Sequence, residues 1–355
     1  GTKAQLIKMA PVMVELRTRS VPYTYIYTGQ HKEGIHALED NFRIGRPDFI
    51  LYEGKDVTRL THVIPWVARC TFAFLRMRKK VFAGADPHRS VLITHGDTFS
   101  TVLGAIMGRL ARIRVAHAES GLRSFDIFHP FPEEINRLIT FRLSNIYFCP
   151  GDSALKNMQR YHGEKINVHI NTIYDALLYA QHYDSETIVA LPAQKYCIVS
   201  LHRFENIFNQ KRFRSLILIV NGIAERMHVL FILHEPTRER LDSLDLAGSL
   251  HPNVELRPRY DFFQFNKLLR HSEFIVTDGG SNQEECAYLG KPCLLLRKKT
   301  ERDEGLGTNV VLSHYEPTII SEFVQNYERY RRDPLVDDGP SKIIARYLEE
   351  KYSIK

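Results

Sequence analysis

The chain has 355 residues, 44% of them hydrophobic and 25% charged, which excludes a disordered or fibrous protein because sizeable cores can be filled. This length exceeds that of one typical domain and predicts two. The net charge of +7 favours anionic ligands. Because the basic residues are dispersed and no RNA- or DNA-binding motif is present, we predict no nucleic-acid partner.

The cysteines indicate the redox setting. There are five, scattered along the chain without a CxxC pair, which is typical of neither a disulfide framework nor a metal site. We therefore expect a reducing, cytoplasmic environment. No run approaches the roughly 18 apolar residues of a membrane-spanning helix, and no secretory leader is visible, so membrane insertion is not predicted.

Strand-length apolar runs alternate with helical patterns from one end of the chain to the other. This rhythm is typical of α/β proteins with parallel sheets. The first half predicts a helix over Gln5–Arg17, whose apolar residues recur at helical spacing. Strands are then predicted near Tyr23–Tyr27, Val91–Thr94, Ile113–Ala116 and Ile146–Cys149.

The second half repeats the pattern, with a predicted helix over Arg212–Arg226 and strands near Tyr196–Leu201, Val229–Leu233, Val254–Arg257, Phe274–Thr277 and Pro292–Leu296. We predict an α/β fold of two Rossmann-like, doubly wound domains, residues 1–170 and 171–340, with the hinge near residues 170–192. The helical stretch Ile173–His182 lies at this connection. A last helix, Ser341–Lys351, forms a C-terminal segment (341–355) that is expected to pack back on the first domain.

Acidic residues follow the predicted strands of the first half. In open parallel sheets, ligands bind beyond the carboxyl ends of strands. Asp97 comes two residues after His95 and either caps the next helix or faces a ligand. Glu119 follows the next strand and is either a ligand-facing acid or a surface residue. Glu134 and Arg137 lie in a helix that begins near Pro132, at a spacing that can direct an acid and a base to one site.

Histidines and a glycine turn follow strands of the second half. His202 and His234 either donate to phosphate oxygens or have structural roles. The run from Thr277 to Glu285 places Gly279 and Gly280 between a strand and a helix, so backbone N–H groups and the positive helix end can bind an anion. An ordinary glycine turn is the alternative, since neither GxxxxGK[ST] nor GxGxxG is present.

Together, the two halves predict carboxylates on one domain facing an anion site on the other across a cleft. Such an arrangement suits an enzyme acting on a nucleotide sugar, in which the diphosphate is held by dipoles and cations while carboxylates move a proton on the sugar.

A set of motifs then connects the chain to a known family. In order along the chain they are Gly1-Thr2, Ile7-Lys8-Met9-Ala10-Pro11, Thr28-Gly29-Gln30-His31, His95-Gly96-Asp97-Thr98, Glu119-Ser120-Gly121-Leu122-Arg123, Pro132-Glu133-Glu134-Ile135-Asn136-Arg137, His202-Arg203, Gln283-Glu284-Glu285, Leu289-Gly290-Lys291-Pro292 and Thr300-Glu301-Arg302. Over nearly its whole length, the chain resembles the UDP-N-acetylglucosamine 2-epimerase family of the non-hydrolysing kind.

The resemblance implies two Rossmann-like domains of the GT-B type, an active site in the interdomain cleft, a homodimer and no added cofactor. It implies interconversion of UDP-GlcNAc and UDP-ManNAc for cell-surface polysaccharide precursors. In the family, the sugar C2 proton is removed while UDP leaves C1, giving 2-acetamidoglucal, and UDP then re-adds with protonation from the opposite face.

The resemblance also carries residue roles. The catalytic set falls on Asp97, Glu119, Glu134 and His202, with the acids moving protons and the histidine supporting the diphosphate. The substrate-binding set, in which the ribose-binding acid is Glu285, falls on Lys3, Lys8, Arg137, Phe265, Gly279, Gly280, Ser281, Glu285 and Arg302. No metal ligand is implied.

The chain departs from the family at several of these positions. Lys3 replaces an arginine, which exchanges a forked guanidinium for a point charge. The phosphate turn reads Gly279-Gly280-Ser281, so the family's first serine is replaced by glycine. Bacterial members often carry a second UDP-GlcNAc site as an activator, and two of its positions are Glu33 and Val57 here, in place of glutamine and arginine.

Alternatives remain within and beyond this family. A modified UDP-HexNAc is an alternative substrate, and a hydrolysing 2-epimerase would release free ManNAc. A GT-B glycosyltransferase would share the architecture without needing the three carboxylates, and a non-catalytic sensor would bind nucleotide sugar without turnover.

Overall fold

A computed structural model describes residues 1–32, 34–54, 56–57, 60–127, 131–183, 189–300 and 302–352, with residues 60 and 61 described by their backbone alone. The chain divides into two compact units. The first comprises Gly1–Tyr179 with Asp338–Lys355, and the second comprises Ala180–Asp337. Residues 171–179, which we predicted to belong to the second domain, are therefore part of the first unit.

The elements of the first part of the chain are, in order, α1 (Lys3–Thr18), β1 (Ile26–Tyr27), α2 (Ile35–Asn41), β2 (Phe49–Ile50), α3 (Leu60–Val81), β3 (Val91–His95), α4 (Phe99–Leu110), β4 (Arg114–Ala118), α5 (Glu133–Leu143), β5 (Ile146–Cys149), α6 (Asp152–Met158), β6 (Glu164–Asn167) and α7 (Ile173–Gln181).

The elements that follow are β7 (Tyr196–Leu201), α8 (Phe204–Ile207), α9 (Gln210–Ala224), β8 (His228–Leu233), α10 (Glu235–Ser243), β9 (Val254–Pro258), α11 (Phe262–His271), β10 (Ile275–Thr277), α12 (Gly280–Leu289), β11 (Cys293–Leu295), β12 (Val310–Leu312), α13 (Pro317–Asn326) and α14 (Pro340–Tyr352). None of the helices in the described part of the chain is long and apolar enough to cross a bilayer.

The first unit contains a parallel sheet in the order β3-β4-β5-β6 and a separate parallel pair, β1-β2. All residues of β5 are buried, as expected for a strand covered on both faces. Helix α1 begins at a capping box, in which the Gln5 amide donates to Thr2 Oγ1 at 3.3 Å and the Thr2 amide donates to Gln5 Oε1 at 2.9 Å. This cap extends α1 beyond its predicted start at Gln5.

The last helix, α14, packs in the first unit. Ile344, Ala345 and Leu348 join a buried cluster with Val12 and Leu16 of α1. Two polar links add to this packing. The Ser341 amide donates to Asp175 Oδ2 at 2.8 Å, and Tyr347 Oη donates to Glu164 Oε2 at 2.6 Å.

The second unit is built on a parallel sheet in the order β12-β11-β10-β7-β8-β9. The strand order reverses between β7 and β10, which makes this pair the topological switch point of a doubly wound sheet. Every residue of β7 is buried, and β10 is likewise buried throughout. The predicted α/β fold with Rossmann-like parallel sheets is confirmed, and ligands of such sheets bind beyond the carboxyl ends of the switch-point strands.

Candidate active site

The carboxyl ends of β3 and β4 bring two predicted acids close to one another. The strand register pairs His95 with Ala118, and the Gly96 amide donates to Ala118 O at 3.1 Å. Glu119, the residue after β4, therefore lies beside Gly96, and Gly96 is the residue that precedes Asp97. Both turn residues are left-handed, with φ of +71° at Gly96 and +62° at Glu119. A non-glycine residue in this region is uncommon and is found where surrounding contacts hold it, often at functional sites.

Contacts from distant parts of the sequence hold the Glu119 carboxylate. Lys8 Nζ from α1 lies 2.5 Å from Oε1, and Asn171 Nδ2 also donates to Oε1. His95 Nε2 lies 3.6 Å from Oε2. Lys8 is itself buried, so the two charges compensate each other in a region with little water.

The other two acids share an arginine. Arg137 Nη2 on α5 donates to Asp97 Oδ2 at 2.6 Å, while its Nη1 lies 3.4 Å from Glu134 Oε2. Arg123 Nε donates to the other oxygen of Glu134, and the Ser124 amide donates to Oε2 at 3.1 Å. The structure thus brings together Asp97, Glu134 and Arg137, as the sequence predicts.

Glu134 is fully buried and yet charged at neutral pH. Burial on its own raises the pKa of this carboxyl, but the hydrogen bonds from Arg123 and the Ser124 amide and the charges of Arg123 and Arg137 outweigh it. The resulting pKa lies below the usual value for glutamate. The site therefore contains a buried carboxylate that can accept a proton without first losing one.

Two buried histidines border this cluster and are neutral. Burial lowers the pKa of His95 to about 4 and that of His117 to about 4. His117 is fully bonded, with Nε2 at 2.7 Å from Gly96 O and Nδ1 at 3.0 Å from Ser120 Oγ. Neither ring nitrogen of His95 has a hydrogen-bond partner among the described residues, and its Nε2 faces Glu119.

In the second unit, Asp278 organises the switch point. This fully buried carboxylate follows β10 and accepts from the His202 amide at 3.0 Å, the Arg203 amide at 3.1 Å and Asn206 Nδ2 at 2.9 Å. His202 Nδ1 also lies 3.3 Å from Asp278 Oδ1. The carboxylate therefore fixes the turn after β7 and the position of the predicted catalytic histidine.

The His202 ring stacks on that of His234, with centroids 4.5 Å apart and planes 24° from parallel. Partial desolvation lowers the pKa of His202, and the charges of Arg203 and Arg259 act in the same direction while Asp278 opposes them. Burial lowers the pKa of His234 to about 3, assisted by His202 and Arg259. Both rings are therefore neutral at pH 7, each able to donate one hydrogen bond and accept another.

The predicted phosphate turn forms the N-terminus of α12. Gly279 is the N-cap residue, and its amide donates to Thr277 Oγ1 at 3.0 Å. The first N–H groups of a helix have no partner within the helix, so those of Gly280 and Ser281 are available to an anion. Asn282 Nδ2 donates to the buried Glu285 at 3.2 Å, which fixes the predicted ribose-binding acid on the same helix turn.

The remaining predicted site residues have more varied surroundings. Arg302 Nη1 lies 3.2 Å from Glu284 Oε2 and 3.7 Å from Glu304 Oε1. Phe265 on α11 is partly buried against the core of the second unit. Lys3 starts α1 near Gly34, and within the described residues it forms no hydrogen bond or ion pair. The structure therefore does not bring Lys3 together with the carboxylates.

Comparison with known proteins identifies the family of the chain. The family model described as UDP-N-acetylglucosamine 2-epimerase matches residues 14–348. The chain belongs to the UDP-N-acetylglucosamine 2-epimerase family. A family member from Methanocaldococcus jannaschii is 30% identical to this chain, with 98% of the chain and 97% of that protein covered. The UDP-N-acetylglucosamine 2-epimerase from Methanococcus maripaludis is also 30% identical to this chain, and the match covers 98% of this chain and 96% of that protein.

Solved structures of the family agree as well. The UDP-GlcNAc 2-epimerase from M. jannaschii superposes with a TM-score of 0.81 at 26% identity, covering 99% of this chain and 98% of that one. The enzyme from Neisseria meningitidis, solved with UDP-GlcNAc bound, gives a TM-score of 0.80 at 27% identity with the same coverage. The family predicted from the sequence motifs is confirmed, as is the GT-B-like fold of its members.

The structure also explains one departure from the family pattern. A Cβ atom at Gly279 would lie 2.9 Å from His202 Cε1 and 2.9 Å from Asn282 Oδ1. Glycine there leaves room for His202 in its stacked position. Of the two positions that correspond to the activator site of bacterial members, Val57 is buried in an apolar cluster with Leu51 and Trp66, while Glu33, like Glu301 of the last motif, lies outside the described residues.

Sequence reasoning left several site residues without a role. Arg123 and Asp278 lie within motifs that the sequence shows, so their positions could have been suspected. Asn171 has no local signal, because it meets Glu119 only through the fold. The sequence does predict a phosphate-binding or structural role for His234, but its stacking on His202 depends on the strand order of the second sheet.

Proposed function

We propose that the chain interconverts UDP-GlcNAc and UDP-ManNAc by elimination and re-addition of UDP. A carboxylate of the first unit takes the proton from sugar C2, and the C1–O bond breaks with its electron pair going to the β-phosphate of UDP. The electrons of the C2–H bond form the C1=C2 double bond of 2-acetamidoglucal. Addition of UDP to C1, with protonation of C2 on the opposite face, completes the inversion.

The observation that carries this proposal is the clustering of Asp97, Glu119 and Glu134 with cations at the carboxyl ends of β3 and β4. Epimerisation requires removal of a proton from one face of C2 and delivery of a proton to the other face, which two differently placed acid–base groups can perform. Carboxylates held by lysine and arginine offer proton acceptors and donors whose positions are fixed before the substrate arrives. Lys8 and Arg137 are the cations that hold Glu119 and Asp97.

The second unit supplies leaving-group stabilisation in this proposal. Negative charge develops on the diphosphate as the C1–O bond breaks, so donors must already point at it. The N-terminus of α12 and the rings of His202 and His234 are such donors, and Asp278 fixes His202. We assign Glu285 to the ribose and Phe265 and Arg302 to further contacts with the nucleotide.

The test is incubation of the protein with UDP-GlcNAc in deuterated water. We expect deuterium at C2 in both epimers, detected by NMR and mass spectrometry. Glu119→Gln should abolish exchange while leaving UDP affinity largely intact, and Glu350→Gln, at an exposed glutamate of α14, is the matched control. Absence of exchange with every UDP-HexNAc tested would overturn the proposal.

Product analysis separates the alternatives. Recovery of UDP-ManNAc supports the non-hydrolysing reaction, whereas free ManNAc with UDP indicates hydrolysis. Exchange with a modified UDP-HexNAc and not with UDP-GlcNAc would assign a different substrate. Sugar transfer to an acceptor without C2 exchange would indicate a glycosyltransferase.

We also propose that the protein works as a cytoplasmic homodimer. Free thiols at Cys70, Cys149, Cys197, Cys286 and Cys293 are compatible with a reducing compartment. An apolar surface on α3 supports self-association, since Ile64, Phe72 and Leu75 lie on one side of that helix and are 77%, 68% and 48% exposed. Light scattering should give a dimer mass for the wild type and a monomer mass for Phe72→Glu, and a wild-type monomer would refute this part.

A further inference from the structure

Three residues with nitrogen-bearing side chains follow the carboxyl ends of β7, β8 and β9, beginning at the switch point of the second sheet. The strand register pairs Leu201 with Leu233 and Leu233 with Pro258. The next residue on each strand is His202, His234 and Arg259, respectively. Because neighbouring strands are about 4.8 Å apart, these three residues are adjacent positions along one edge of the sheet.

Arg259 is the charged member of these three residues. It is exposed, and among the described residues it forms no hydrogen bond and no ion pair. Its charge nevertheless reaches the two rings beside it, since it contributes to lowering the pKa of both His202 and His234. The guanidinium thus adds positive charge near the histidine pair, and within the described residues its side chain has no hydrogen-bond or ion-pair partner.

The other groups at this edge are complementary to an anion. The two imidazoles are neutral, and the N-terminus of α12, next to His202 on the β10 side, presents backbone N–H groups. Asp278, whose Oδ1 lies 3.3 Å from His202 Nδ1, is already engaged by the His202 and Arg203 amides and by Asn206. The unpaired guanidinium of Arg259 makes the electrostatic potential at this edge positive, and a bound phosphate would neutralise that charge.

We propose that Arg259 is a further substrate-binding residue, whose guanidinium binds a phosphate oxygen of the UDP moiety. This inference rests on the proposed function for the identity of the ligand. Arginine presents a planar fork of donors that matches phosphate oxygens, and such charge-assisted hydrogen bonds are about twice as strong as neutral ones. Arg259 extends the phosphate site from the α12 N-terminus across β7 and β8 to the end of β9.

The experiment compares Arg259→Gln and Arg259→Lys with the wild type in calorimetric titrations with UDP, and in NMR titrations with uridine. We expect Arg259→Gln to weaken UDP binding about tenfold, as for loss of a charge-assisted phosphate contact, with Arg259→Lys intermediate. Uridine, which has no phosphate, should bind both variants as it binds the wild type. The salt dependence of UDP binding should also become weaker in Arg259→Gln.

Arg214→Gln is the matched control, because Arg214 is an exposed arginine on α9 whose side chain forms no hydrogen bond or ion pair among the described residues. Unchanged UDP affinity in Arg259→Gln overturns the proposal. Equal weakening of uridine and UDP also overturns it, since it would mean a contact with the base or ribose. A failure of the proposed function gives a different result. If the wild type catalyses no C2 exchange, the proposed epimerase reaction is wrong, but Arg259→Gln can still weaken the binding of UDP and not that of uridine.

Discussion

The Asp278→Asn substitution tests the central role of one buried carboxylate in the second unit. Asp278 offers two oxygens to the His202 amide, the Arg203 amide and Asn206 Nδ2. Asparagine has the same shape, but it has no charge and replaces one acceptor oxygen with a donor. Whichever way the amide turns, an NH₂ group faces at least one N–H donor, so a buried donor loses its partner.

The size of the effect follows from these contacts. Hydrogen bonds to a charged group contribute roughly 1.5–3 kcal/mol, against about 1 kcal/mol for neutral ones, and a buried donor left without a partner costs about 1–3 kcal/mol. One unpartnered donor and the weakening of the remaining hydrogen bonds together lower the free energy of unfolding by about 3 kcal/mol. For a unit of this size, each kcal/mol lowers the melting temperature by roughly 2–4 °C, so we expect a decrease of about 6–12 °C.

Differential scanning calorimetry of the full chain measures this decrease, and UDP titration reports the accompanying displacement of His202. Asp242→Asn is the control, because Asp242 is an exposed acid in the same unit. If Asp278→Asn melts within a degree or two of that control and binds UDP equally well, the assigned role of Asp278 is refuted.

Three further predictions concern single side chains. Gly279→Ser places a Cβ 2.9 Å from His202 Cε1 and should weaken UDP binding several-fold in calorimetry; binding as tight as in the wild type would contradict the packing argument. Arg123→Met removes the main partner of buried Glu134, so about 3 kcal/mol of stability should be lost in urea unfolding. The pKa of Glu134 should also rise, moving the acidic limb of the pH–rate profile to higher pH, and an unmoved limb would count against Glu134 as the ionised group. Burial raises the pKa of Asp175 from 3.8 to about 6, so its stabilising contribution is complete below pH 3.8 and is lost as pH rises through 6. Asp175→Asn should therefore gain about 3 kcal/mol of unfolding free energy over the wild type between about pH 3 and about pH 7 in unfolding experiments, and parallel pH profiles would refute this shift.

The strands were most predictable where burial on both faces leaves a clear apolar run. Ile146–Cys149 and Tyr196–Leu201 are observed with the predicted bounds. Tyr23–Tyr27, in contrast, shortens to Ile26–Tyr27. There the Tyr25 amide donates to the Asp48 side chain at 2.7 Å instead of to a neighbouring strand, and the sequence has no signal for this long-range contact.

The site was predictable to the extent that its residues lie in local motifs. Glu134 and Arg137 are three residues apart on one helix, so their proximity follows from helical geometry. The contact of Lys8 with Glu119 joins α1 to the end of β4, and that of Asn171 with Glu119 crosses from the α7 side. Such contacts depend on how distant helices and strands pack against one another, and the local sequence around each residue does not predict that packing.

The packing of α14 against α1 means that the first unit is assembled from two segments of the chain, one that precedes the second unit and one that follows it. A ribosome releases the second unit, Ala180–Asp337, before the last piece of the first unit has been made. A nonsense codon near residue 338 would thus leave the second sheet intact and remove Ile344, Ala345 and Leu348 from the core that includes Ala116 of β4. If the proposed function holds, loss of α14 should consequently appear as a failure of proton transfer with UDP binding preserved.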